Sequence, residues 1–374
     1  MKKLIVVLLL LSAALLPLAC GNNLTPTNTA KMTSAPSNTP TATATVHMNG
    51  GVVTTLAGSG STGHADNANG LSATFNNPQG LALDAYGNIY VADRNNNEIR
   101  EISPSAAVTT LAGSTTSGHA DNAVDTMATF SSPFAVAVDS HGNLFVADGN
   151  NNEIREILQS GGVTTFAGQT TAGYLDATGT AAKSSNPHGV AFDAAGNLYV
   201  GDQNNNMIRI ISPSGAVSTF AGQLTAGSTN ATGTAAQFSA PHGVAVDASG
   251  NVYVADSSNN MIRKITPGGV VSTLAGSGAT GSANGTGTAA TFTNPYAVAV
   301  DSYGNVYVAD QGDNLIRMIT PGGVVSTLAG SGTPGSTNGT GTVASFSAPH
   351  GVALDASGNL YISDSSNNEI RVIK

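Results

Sequence analysis

From Gly51 onward, short apolar runs alternate with polar residues at a period of two, and each run ends in turn-forming residues. In one stretch Val244 to Val246 runs into Asp247, and an Ala-Ser-Gly-Asn turn leads to Val252 to Ala255. Asp256 ends that strand, Ser257 to Asn260 turn into Met261 to Ile265, and Pro267-Gly268-Gly269 turn into Val270 to Ala275. The spacing predicts four antiparallel strands joined by tight turns. The pattern then repeats. An Asp-x-x-Gly-Asn motif begins at Asp84, Asp139, Asp193, Asp247, Asp301 and Asp355, with steps of 55, 54, 54, 54 and 54. Nine residues after each stands a second aspartate (Asp93, Asp148, Asp202, Asp256, Asp310, Asp364), and seven further an arginine (Arg100, Arg155, Arg209, Arg263, Arg317, Arg371). Three markers holding one register six times predict an all-β protein of repeated four-stranded sheets. Radial repetition of such sheets makes a β-propeller, which leaves only short, protected edges.

The chain ends supply the blade count. The last unit stops at Ile370-Arg371-Val372-Ile373-Lys374, after its third strand, while a copy of the missing fourth strand, Gly51 to Gly58, precedes the first unit. Six fourth-strand copies, marked by Leu56, Leu111, Phe166, Phe220, Leu274 and Leu328, match the six Ile-Arg strands. The expected domain therefore spans residues 51–374, a six-bladed propeller whose residues 51–58 complete the C-terminal blade.

Before Gly51 the pattern is different. Lys2 and Lys3 precede an apolar run from Leu4 to Leu16, too short to span a bilayer as a helix, and Ala19-Cys20 follows. This is the layout of a signal peptide over residues 1–19. Cys20, the only cysteine, stands where it resembles the acylated cysteine of a bacterial lipobox, with Pro17 three residues before it. Residues 20–50 are rich in Thr, Asn, Ser, Ala and Pro and can bury little apolar surface, so they are expected to be a disordered tether. The resemblance implies lipidation at Cys20 and an exported protein anchored to the cell envelope or surface, touching the membrane through the lipid alone.

Composition narrows the function. The folded part has no cysteine for disulfide stapling, and the 374-residue chain has 45 glycines and only 9% charged residues. Lys and Arg total 13 against 22 acids, and six of the arginines belong to the repeat, which argues against a nucleic-acid partner.

Most repeated side chains are expected to be scaffold. The aspartate and arginine seven apart face each other across a hairpin, and the Asp-x-x-Gly-Asn turns lie at the opposite end of the sheet. Phe75, Phe130, Phe238, Phe292 and Phe346 are expected between blades, with Ser184 in the third. Asp66, Asp121, Asp176, Asn230, Asn284 and Asn338 share a place in the long loops and are expected to fix them, calcium binding being the other reading. Topology puts the start of each first strand, the Asn-rich turns and the long fourth-to-first connections on one face, the top. There, after the proline that opens each inner strand, the fixed pattern gives way to Gln79, Phe134, His188, His242, Tyr296 and His350, which are the candidate ligand-binding residues. Three histidines on inner strands could converge at the axis, where imidazoles can hold zinc or another divalent metal.

The run Gly-Val-Ala-Val-Asp, Gly-Asn-Val-Tyr-Val-Ala-Asp, Asn-Asn-x-Ile-Arg resembles the NHL repeat over essentially all of residues 51–374. That family implies a propeller without fixing an activity. The Pro-His-Gly positions also resemble peptidylglycine amidating lyase, whose zinc histidines occupy such places. That resemblance implies His188, His242 and His350 as metal ligands, with Arg94 matching an arginine of the lyase. The lyase tyrosine is not matched: Asn95, Asn150, Asn204, Ser258, Gly312 and Ser366 stand there. The expected function is a monomeric, surface-tethered binding module for an extracellular or periplasmic protein, peptide or glycan. The alternative is a metal-dependent lyase or hydrolase with a histidine-lined axial site.

Overall fold

The structure, a computed structural model, describes residues 51–374; the expected signal peptide, Cys20 and the tether lie outside the described residues. Six antiparallel sheets follow one another in the chain, with no α-helix among the described residues. In blade 4, Pro241–Val246, Val252–Asp256, Met261–Ile265 and Val271–Ala275 pair in that order. Register places Pro241 beside Asp256 and Asp256 beside Met261 at one end, and Val252 beside Ile265 at the other. The first end is the top.

The ring closes as the pattern predicts. Val52–Ala57 pairs antiparallel with Glu369–Ile373, with Val53 opposite Ile373 and Thr55 opposite Arg371. Val52 and Lys374 exchange both backbone hydrogen bonds, at 2.9 and 3.2 Å. Between successive blades lie six apolar clusters; Phe75, Phe130, Phe238, Phe292 and Phe346 are fully buried in five of them.

The long connections correct one expectation. Their ends lie on top, but their middles do not stay there. Each drops along the outer edge of the next blade and pairs with the bottom of its fourth strand. The partners are Asn67 with Val108, Asn122 with Val163, Thr178 with Ala216 and Thr232 with Val270. Thr286 pairs with Val324, and Thr340 with Val52. The connection thus covers an outer edge that would otherwise present unpaired backbone groups.

The repeat markers become a buried network at the top of every blade. In blade 4, Arg263 Nη1 lies 2.6 Å from Asp256 Oδ2, both side chains fully buried. Asn259 Nδ2 donates to the same oxygen, and the Ser239 N–H donates to the other. Arg263 Nη2 donates to Asn230 Oδ1, and the guanidinium lies over the Phe238 ring at 5.2 Å. Asp66, Asp121, Asp176, Asn284 and Asn338 receive the matching arginine in the other blades, so they fix the loops as expected. The Asp-x-x-Gly-Asn turns do the corresponding work at the bottom: Asp247 Oδ1 accepts from the Ser249 and Asn251 N–H groups.

Candidate functional site

The six variable residues sit at the tops of the innermost strands because each follows the strand's opening proline. The residue before that proline has a left-handed backbone in every blade (Asn77, Ser132, Asn186, Ala240, Asn294, Ala348), with φ from 48° to 58°. Its N–H is held by the side-chain oxygen of an asparagine in the preceding blade. Asn97 holds Ser132, Asn152 holds Asn186, Asn206 holds Ala240, Asn260 holds Asn294 and Asn314 holds Ala348. Asn368 of the last blade holds Asn77 of the first, closing the circle at 2.9 Å. These clasps set where each inner strand starts. Just below, the next residue in each strand is Gly80, Ala135, Gly189, Gly243, Ala297 or Gly351. A Cβ on Gly189 would lie 2.6 Å from the Gly243 Cα, so the small residue lets neighbouring strands approach.

The variable side chains turn inward and fill the axis. Phe134 and His188 stack with centroids 3.7 Å apart and planes 20° from parallel, and His188 stacks on His242 at 4.4 Å and 18°. Tyr296 crosses His242 at 4.4 Å and His350 at 4.1 Å. His350 Nδ1 accepts from Gln79 Nε2 at 3.0 Å, which brings blades 6 and 1 together. Gln79 is fully buried, and Phe134, His188, His242 and His350 are each less than a tenth exposed. The structure therefore brings all six predicted residues together, but as a plug rather than as an open lining. Beneath it lies a cavity of about 30 Å³, the size of a water molecule.

Burial keeps the plug uncharged. Removal from water lowers the His242 pKa to about 4 and the His350 pKa to about 3, and drives His188 well below the ordinary imidazole value. Nearby Arg94 adds to the lowering at His188 and His350. Burial raises the Tyr296 hydroxyl.

The histidines are close, yet they do not fit a metal. Stacked rings direct their nitrogens along parallel planes rather than toward a point. His242 Nε2 is engaged by the Gln203 amide at 3.0 Å, and His188 Nδ1 lies 3.4 Å from the Tyr296 hydroxyl. Among the described residues, no group of three His, Cys, Asp or Glu is placed to hold a metal ion. Metal ligation by His188, His242 and His350 thus finds no support in their geometry.

Above the plug, the first residues of six short 3₁₀ turns form a ring: Arg94, Gly149, Gln203, Ser257, Gln311 and Ser365. The serines donate to the Pro295 and Pro78 carbonyls of the next blade, and the glutamines bond Asn186 and Asn294. Gly149 is required by its neighbour, since a Cβ there would lie 2.2 Å from Phe134 Cδ2. Arg94 is the one charged member. Its guanidinium rests over the Phe134 ring at 4.6 Å, its Nε is buried without a hydrogen-bond partner, and no carboxylate pairs with it among the described residues. Sequence reasoning reached Arg94 only through the lyase resemblance. Its signal was present in the repeat itself, as the single cation in a column of neutral residues.

Comparison with known proteins agrees with this fold. Residues 75–102, 238–265 and 346–373, in blades 1, 4 and 6, match the NHL repeat family. The chain is a six-bladed β-propeller of NHL repeats. This propeller is 30% identical over 265 residues to Protein SUPPRESSOR OF QUENCHING 1, chloroplastic, of Arabidopsis thaliana, a match covering 66% of the chain and 25% of that protein. It is 31% identical over 326 residues to human NHL repeat-containing protein 2, covering 80% of the chain and 39% of that protein. The NHL propeller thus spans well under half the length of either relative. Among solved structures, a Bacteroides thetaiotaomicron protein of unknown function superposes with a TM-score of 0.67 at 23% identity, covering 86% of this chain and 75% of that one. An auxiliary nutrient binding protein from the same organism superposes equally well at 18% identity, covering 86% and 76%. A streptogramin B lyase superposes with a TM-score of 0.53 at 16% identity, covering 83% and 96%. At these identities the structures share the fold alone.

Proposed function

We propose that this NHL propeller is a surface-tethered binding module whose top face captures an extracellular ligand bearing a carboxylate, on a protein, peptide or glycan. The observation that carries the reading is Arg94. A guanidinium held over an aromatic ring, in a ring of otherwise neutral residues and with no acidic partner among the described residues, is built for a bidentate anion supplied from outside. The other six arginines of the propeller belong to the buried Arg–Asp network. Nutrient binding, the description of one structural relative, is a task of the same kind. The test is NMR of the histidine side chains during titration with acetate, benzoate and N-acetylglutamate, and with their uncharged amides. Saturable shifts at His188 and His350 with the carboxylates only, abolished in Arg94→Gln, are expected. Equal responses to the amides, or a response unchanged in Arg94→Gln, would overturn the reading.

The tether is part of the same proposal: acylation of Cys20 holds the propeller at the cell envelope, and Cys20→Ala is expected to move it from the membrane fraction to the medium. A metal-dependent lyase or hydrolase using the three histidines has less support, because His188 and His242 stack and no three His, Cys, Asp or Glu side chains among the described residues are placed to hold a metal ion.

A further inference from the structure

We propose that a cleft on the bottom face, between blades 2 and 3, binds an organic cation, an ammonium group carried on an apolar body. The cleft encloses about 490 Å³, within the range of small-molecule sites. Its wall holds three phenyl rings, Phe145 from the second strand of blade 2, Phe166 from its fourth strand and Phe192 from the first strand of blade 3. Phe145, nearly buried, meets both others edge to face at 5.0 and 5.1 Å, and the half-buried Phe166 and Phe192 are the rings an approaching cation can reach.

Three acids stand among its polar groups, with Ser140, Ser212 and the exposed His141. Asp139, Glu156 and Asp193 line the cleft, and no lysine or arginine does. Asp139 differs from its counterparts in the repeat. In blades 1, 4, 5 and 6 a tyrosine hydroxyl donates to the equivalent carboxylate: Tyr90 to Asp84, Tyr253 to Asp247, Tyr307 to Asp301 and Tyr361 to Asp355, at 3.0 to 3.2 Å. Blade 2 has Phe145 there, so Asp139 Oδ2 keeps only the Asn143 amide and the exposed His141, whose Nδ1 lies 3.5 Å away. At this one place the repeat keeps the ring but lacks the hydroxyl, which leaves a carboxylate lone pair without its usual tyrosine donor beside an aromatic wall. Glu156, opposite Phe145 across the ladder, is raised above the ordinary carboxylate range by burial and then by the Asp139 charge. Two crowded acids with no lysine or arginine beside them, and only the exposed His141 near one of them, are relieved by a bound cation. An anion would face three carboxylates, and a neutral apolar molecule would leave the acids without a counter-charge.

Titration of the full chain with benzyltrimethylammonium chloride, followed by calorimetry, tests this directly. Saturable binding is expected, weakened at least about tenfold by combining Asp139→Asn with Glu156→Gln. Phe145→Tyr restores the bond seen in the other blades, so it is expected to weaken binding several-fold without lowering the unfolding midpoint. Arg94→Gln should leave it intact, which keeps this cleft separable from the top-face site. Absence of saturable binding to folded protein overturns the proposal. So does equal binding of benzyl alcohol, or affinity unchanged in the acid-to-amide variant.

Discussion

His242 packs between the His188 and Tyr296 rings, receives the Gln203 amide and is only 7% exposed. Its folded pKa of about 4 lies below the unfolded value near 6.5, so the unfolded chain takes up the proton first as pH falls. The stability linked to neutral His242 is therefore complete above pH about 6.5 and is lost as pH falls toward the folded value. His242→Gln removes this linkage. Between pH 7 and 5 the parent protein should lose about 2 kcal/mol more than the variant, measured by urea unfolding at each pH. Equal losses would mean that the imidazole is solvated. At this scale the sequence was informative about place and less so about state. The break in the repeat after each proline located the six residues, because fixed neighbours make a changing position visible. That they stack and plug the axis depends on the inner-strand spacing, which small residues such as Gly189 and Gly243 permit only in the assembled ring.

At the scale of the elements, each blade carries the same buried Arg–Asp pair, and in five of them a phenylalanine ring covers the arginine. Blade 3 has Ser184 instead, and Tyr174 from the long loop covers Arg209 at 5.1 Å. The exchange leaves a cavity of about 20 Å³ bounded by Ser184, Ala182, Val200 and Arg209. Ser184→Phe is expected to fill it and to stabilise the protein by about 1 kcal/mol, read as a higher thermal midpoint; a lower midpoint would mean that the loop cannot release Tyr174. Strands, turns and the arginine pairs were legible because turn chemistry and period-two alternation are local. The edge-covering path of the long connections was not. Their Gly, Ser and Thr residues carry no alternation, and the bond from Thr232 to Val270 exists only once the blade edge is formed. The asparagine clasps were not legible for a related reason: Asn97 and its equivalents resemble ordinary turn residues, and their partners lie one blade away.

For the whole molecule, closure is what gives the other parts their meaning. Arg94, the plug and the clasp from Asn368 to Asn77 share one axis only if residues 52–57 complete the last blade. A cysteine pair tests this most directly. Val53 and Ile373 face each other without exchanging hydrogen bonds, the closer kind of antiparallel pair. In a chain carrying Cys20→Ser, Val53→Cys with Ile373→Cys should form an intramolecular disulfide under mild oxidation of the native protein. That bond should raise resistance to urea by several kcal/mol, on the order of 5, because it closes nearly the whole domain into one loop. Two thiols that stay free in the folded protein, or that link separate molecules, would contradict a ring sealed by its own amino-terminal strand.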